Sequence, residues 1–278
     1  MAAQAAPPPE ATEEARSAID SVPLWYHTME LAPGVVTPGW FDLRPIVERM
    51  PWPDVRGKRC LDIGPWDGFL SFELERRGAA EVVATDISTP AEWDWPLLLR
   101  DRGPAYLGRL AGAKTGAGFE TARRALGSSA ERVEINVYDL SPERVGRFDV
   151  VVCGSLLLHL RDPIRALESI RGVCGGVFLS AEQIRPGLTL LRRRAPLAEF
   201  RSGERCQWWI PNAAGHRALV ASAGFEIERT VRPYSIPLGP GHPGRGTESL
   251  RERLLQRLAT GAIGLPHSAL LARPARGR

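Results

Sequence analysis

Asp62-Ile63-Gly64-Pro65-Trp66-Asp67-Gly68 is the stretch whose residue types and spacing could do chemistry. It follows the apolar run Arg59 to Ile63 and opens the helical pattern Gly68 to Arg77, the place where open α/β sheets bind nucleotides. Glycines there let backbone approach a ligand that a Cβ would push away. A pyrophosphate turn would also need glycine at 66 and 69, so that the phosphates could sit on the helix N-terminus. Trp66 and Phe69 stand at those positions, which disfavours a dinucleotide and hydride transfer.

A ligand with a carboxylate, an amine, a sulfonium and a ribose diol, but no phosphate, suits the remaining residues. S-adenosylmethionine is such a ligand. Asp62 can attract its amine or sulfonium side, Gly64 and Gly68 leave room for the methionyl portion, and Trp66 joins the same cofactor-binding set. Asp86 follows Val82-Val83-Ala84-Thr85 at a strand end, where a carboxylate accepts ribose hydroxyls; Ile87 can press on the adenine. In Tyr138-Asp139-Leu140 the acid can accept from the adenine amino group while its apolar neighbours flank the ring. Gly154 and Ser155 should face the methionyl end. His159 is the candidate base for an acceptor hydroxyl, with His27 a weaker second choice. His27, Trp208 and Trp209 are assigned to the acceptor pocket.

Alternating elements must position these groups. Strands are predicted at Arg59–Ile63, Glu81–Thr85, Arg132–Val137, Phe148–Cys153 and Gly175–Ala181, with a late strand at Phe225–Val231, and helices fall between them. Asp162-Pro163 opens one helix by an acceptor cap and a fixed ring, with Ile164, Leu167 and Ile170 on one face. This alternation argues for parallel βαβ units in an α/β, Rossmann-like, doubly wound sheet. Trp25 to Trp40 reads as an ordered loop that caps it, Arg185 to Trp209 as a lid, and the Trp93, Trp95, Leu97, Leu98 group as packing. Three parts result: an N-terminal extension and cap (1–55), a main domain (56–235) and a basic C-terminal tail with a short helix (236–278).

The glycine turn, Asp86, Tyr138-Asp139 and the strand Phe148-Asp149-Val150-Val151-Val152-Cys153 fall in the order found in class I S-adenosylmethionine-dependent methyltransferases, which residues 25 to 235 resemble. That resemblance implies a seven-stranded sheet with its last strand antiparallel. Trp25-Tyr26-His27, Thr37-Pro38-Gly39-Trp40 and Leu158-His159-Leu160-Arg161-Asp162-Pro163 resemble the branch of tRNA wobble-uridine carboxymethyltransferases. That branch has Tyr-His-Arg-Arg where Leu158-His159-Leu160-Arg161 stands here, so the ordinary methyl donor is expected rather than its carboxylated form. By the same resemblance Trp40 contacts the cofactor from outside the sheet.

The 278 residues carry a net charge of +4, but residues 241–278 alone hold seven Arg against two Glu, which leaves the body near neutral. Nucleic acid is therefore disfavoured, and a small-molecule acceptor methylated at O or N, in specialised metabolism, is the leading expectation. A tRNA-modifying enzyme and a non-catalytic scaffold are the alternatives. The four Cys show no metal-ligand spacing, so neither zinc nor a disulfide is expected. No apolar run reaches the roughly 20 residues that span a bilayer. A cytoplasmic protein without a membrane partner follows as the expectation. Leu250, Leu254, Leu255 and Leu258 recur at helical spacing in the tail and read as a docking face, within the chain or in a homo-oligomer.

Overall fold

The computed structural model describes residues 9–111, 116–204, 206–244 and 249–276. Its central sheet contains β3 (Arg59–Ile63), β4 (Glu81–Asp86), β5 (Glu131–Glu134), β6 (Phe148–Gly154), β7 (Cys174–Gln183), β10 (Phe225–Thr230), β11 (Tyr234–Ile236) and β12 (Leu265–Pro274). Two hairpins lie outside it, β1 (Glu30–Ala32) with β2 (Val35–Val36) and β8 (Ala198–Glu204) with β9 (Gln207–Pro211). The order across the sheet is β10-β12-β7-β6-β3-β4-β5, with β11 also paired to β12. Neighbours from β5 to β7 run parallel, and β12 is antiparallel to both β7 and β10. The expected seven-strand path with an antiparallel last strand is thus present.

Both faces of the sheet are covered, which is why β6 reads as a continuous apolar run. Val150 and Val152 enter one core while Val151 and Cys153 enter the other. β3 pairs with β4 on one side and β6 on the other, so the crossovers diverge at its carboxyl end. Such a switch point opens a crevice without further design.

Several details differ from the sequence reading. The third strand stops at Glu134, and Val137–Asp139 forms a 3-10 turn whose start is held by the Asn136 side chain. Trp25 to Trp40 is not loop throughout, because the β1–β2 hairpin lies within it. Asp162 does accept from Arg165 N–H (3.0 Å), but the buried face is Pro163, Ala166, Leu167 and Ile170, while Ile164 is exposed. Trp95 packs as core, whereas Leu97 and Leu98 face solvent.

The largest correction concerns residues 236–278. They are not a peripheral tail: β12 is inserted between β7 and β10, with Ala269, Leu270 and Ala272 buried. The chain before them sews itself to the cap, since Asp42 N–H donates to Pro237 O (3.0 Å) and Gly239 N–H to Trp40 O (2.7 Å). The basic composition hid a ten-residue, mostly apolar strand. Of that segment, 245–248 and 277–278 lie outside the described residues, as do residues 1–8 of the N-terminal extension.

If β12 is a core strand, Leu270→Ala should cost about 2–5 kcal/mol in urea denaturation. Leu258→Ala, in the exposed helix of the same segment, should stay within about 0.5 kcal/mol.

Candidate functional site

The site is built at the carboxyl ends of β3, β4, β6 and β7. Asp62, fully buried near the end of β3, accepts from Ser71 Oγ (2.6 Å), and burial pushes its carboxyl up to about 6. The turn after it carries Gly64, Trp66 at φ 52° and Gly68 at φ 92°. A Cβ at Gly68 would lie 2.6 Å from Phe72 and 2.7 Å from Phe119, so glycine is required by both torsion and space.

Asp67, also in that turn, is buried and belongs to the cap. Its Oδ2 accepts from Tyr26 N–H (2.7 Å) and His27 N–H (2.8 Å), and its Oδ1 pairs with His27 Nδ1. Gly39 lets the second cap segment lie against the first, because a Cβ there would come within 2.1 Å of the His27 carbonyl carbon. Cap and turn therefore form one latch. His27, expected in the acceptor pocket, has Nδ1 committed to this latch.

Asp86 is half-buried at the end of β4, where its Oδ1 accepts from Ile87 N–H (2.8 Å). Burial lifts its carboxyl to about 6 against the pull of the Ile87 amide. Over the turn the aromatic rings form a chain. Trp66 lies 5.3 Å from Tyr26 and 5.9 Å from Trp93, and Tyr26 lies 6.3 Å from Trp40. Trp40 and Trp66 are thus brought together through Tyr26.

The Tyr138-Asp139-Leu140 group is less united. Tyr138 Oη donates to Asp94 Oδ2 (2.6 Å) and accepts from Asp162 N–H (3.2 Å), which braces the loop after β6. Asp139 is exposed with Arg144 3.8 Å away, and Leu140 is buried in the core. Trp208 donates to Asp94 O (2.7 Å) and Trp209 to Arg161 O (3.3 Å), so both lid residues dock on this brace.

At the end of β6, Gly154 leads into Ser155, which adopts φ 53°. His267 on β12 donates Nδ1–H to Leu265 O (3.0 Å), leaving Nε2 to accept from Ser155 Oγ (2.7 Å). His159 donates Nδ1–H to Cys206 O (2.8 Å), and burial lowers its pKa. Both imidazoles are consequently neutral. Glu182, buried near the end of β7, accepts from Leu158 N–H (2.9 Å) through Oε2, while Oε1 has no partner among the described residues. Burial lifts its carboxyl to about 8.

Sequence reasoning missed Asp67, Glu182 and His267. Only Glu182 carried a signal, as an acid ending the apolar run Gly175 to Ala181. The partners of Asp67 lie 40 and 41 residues away, and His267 sat in what read as a tail.

A family described as a methyltransferase domain matches residues 42–230. The chain belongs to this family. Its cofactor is S-adenosylmethionine, and the donor set fits that group. The Asp67 carboxylate, under His27, already holds the negative position beside the helix N-terminus where a pyrophosphate would bind, while Asp86 presents its carboxylate at the end of β4. The chain is 28% identical over 140 residues to the ubiquinone biosynthesis O-methyltransferase of Acinetobacter baumannii (strain ACICU), covering 48% of this chain and 49% of that protein. For the protein of the same name from Neisseria meningitidis serogroup C the identity is 32% over 135 residues, covering 46% and 45%. The chain spans about half the length of these curated relatives. The methyltransferase solved in complex with the Haloferax volcanii Trm112 activator shares the fold, with a TM-score of 0.51 at 14% identity over 84% of this chain and 87% of that one. Among the described residues there is no cluster able to hold a metal ion and no helix long and apolar enough to cross a membrane.

Glu182 makes stability pH-dependent in a stated direction. Its folded pKa of about 8 lies above the ordinary 4.5, so the native state keeps a proton that the unfolded chain releases. Stability is therefore greatest below the lower value and falls as pH rises through the upper one, by up to about 1.4 kcal/mol per pH unit. Glu182→Gln should make this slope shallower in urea denaturation across that window, with Asp62 and Asp86 supplying what remains. An unchanged slope would show that the carboxyl ionises normally.

Proposed function

We propose that this protein transfers a methyl group from S-adenosylmethionine to an oxygen or nitrogen of a small molecule. The observation that carries this reading is the division of charge around the turn: Asp67 is sealed beneath the cap, while Asp86 stays half-buried at the strand end. The bound cofactor supplies a methyl group on a sulfonium. Asp86 holds the ribose diol, Ile87 presses on the adenine and Asp139 borders it. Gly64, Gly68, Gly154 and Ser155 surround the methionyl portion, Asp62 favours a cationic ligand, and Trp40 with Trp66 closes the crevice against water.

Methyl transfer needs alignment and desolvation, which together supply up to roughly 7–11 kcal/mol in well-oriented systems. His159 acts as the base in this reading. With Nδ1–H engaged by Cys206 O, its Nε2 keeps a lone pair that can take a proton from the acceptor. Trp208 and Trp209 border the acceptor. The ubiquinone-pathway relatives support a small-molecule oxygen as the methylated atom. The segments that resemble the wobble-uridine branch are used here for the latch and the brace, so they give tRNA no separate support. The buried, free cysteines accord with a cytoplasmic, reducing setting.

Isothermal titration with S-adenosylmethionine, S-adenosylhomocysteine and NADH tests the reading. Both adenosyl ligands should bind the folded protein, NADH should not, and Asp86→Ala should weaken adenosyl binding at least tenfold, about 1.4 kcal/mol. A folded protein that binds neither adenosyl ligand would overturn it. Bulk tRNA should yield no methylated product.

A further inference from the structure

The helix Leu250–Thr260 is folded on its own terms yet leaves its apolar stripe in solvent. It starts with a complete capping box between Ser249 and Glu252 and ends at Gly261 with φ 82°. Leu250, Leu254 and Leu258 are 84%, 59% and 63% exposed, whereas Leu255 and Thr260 turn toward the protein. Spacing of four residues places the three leucines in one row along the outer face, with Arg251 on one flank and Arg253 and Arg257 on the other. The adjoining helix Pro186–Leu191 packs against this one and ends in Leu191, 80% exposed, followed by Arg192, Arg193 and Arg194.

Six arginines thus border four projecting leucines. All six are exposed, and none makes an ion pair among the described residues. Glu252 is the one acid on the helix, and it is engaged at the cap. A second copy is a poor occupant, since a symmetric contact would bring two arginine-rich faces of like charge together. The leucines also project outward, where an apolar tip can enter a soft phase without a matching pocket.

We propose that this face docks the protein on the surface of an anionic lipid bilayer, with the leucines entering the acyl boundary and the arginines meeting lipid phosphates. An interfacial helix of this kind lies in the membrane plane and does not span it. Arginine near such a surface gains from its negative potential, and salt screens that gain. The proposal stands apart from the methyl-transfer reading, because nothing in it depends on the cofactor.

The test is co-sedimentation of the full chain with vesicles of phosphatidylglycerol and phosphatidylcholine in equal parts, beside vesicles of phosphatidylcholine alone. The wild type should partition onto the anionic vesicles at least about tenfold more strongly, with loss at high salt. Leu254→Asp/Leu258→Asp should lose at least about tenfold of that binding, since aspartate is costly in the acyl boundary. Arg251→Gln/Arg257→Gln should weaken it and flatten its salt dependence. A thermal melt and an S-adenosylhomocysteine titration, unchanged in these variants, separate loss of docking from loss of fold. Absence of wild-type binding to anionic vesicles would overturn the proposal, as would equal binding by the leucine variant. A wild-type dimer in light scattering that the leucine variant converts to monomer would assign the face to a second copy instead.

Discussion

The site rests on a buried carboxylate whose hydrogen bonds, among the described residues, all go to the cap. Asp67 is held in the glycine turn by the positive torsions of Trp66 and Gly68, and from there it takes two cap amides and the His27 ring. A buried charge must be satisfied, and these donors are the means by which the turn accommodates one. The same bonds place Tyr26 against Trp66 and, through Tyr26, Trp40 over the switch point. Cap position, aromatic closure and exclusion of a phosphate ligand therefore have one cause.

A second feature follows from the sheet. Asp62, Asp86 and Glu182 come from three strands and meet low dielectric at the same edge, with their carboxyls lifted by burial. None of the three makes an ion pair within the described residues. Arg132 lowers Asp86 and His27 lowers Asp62 electrostatically, yet burial outweighs both, so these acids suit a ligand that brings positive charge, and a sulfonium with an amine brings two. Neutral His159 and His267 add no competing charge.

The candidate site was legible in the sequence wherever one strand end carried its own signal. Asp86 after Val82-Val83-Ala84-Thr85, and the glycine turn after Leu61-Asp62-Ile63, are local patterns, and both lie where they were expected. Asp67 was visible as a letter but not as a latch, because nothing local distinguishes a solvated turn carboxylate from one receiving Tyr26 and His27. β12 was lost for a different reason. Leu265 to Pro274 is mostly small and apolar between basic segments, and only its pairing with β7 and β10 makes it a core strand. Tyr138 was assigned to the adenine by position, while its hydroxyl serves Asp94, a partner that no periodicity could announce. Long-range pairing, then, is what composition and spacing leave unread.

The most direct measurement is amide hydrogen exchange over residues 24–42 in wild type and in Asp67→Ala, followed by mass spectrometry without ligand. If Asp67 is the latch, these amides should exchange at least about a hundredfold faster in the variant, as expected for losing charge-assisted hydrogen bonds. β6 should keep its protection, and S-adenosylhomocysteine affinity should fall with the cap. Unchanged protection over 24–42 in a folded Asp67→Ala protein would contradict the account, because the cap would then be held by something else.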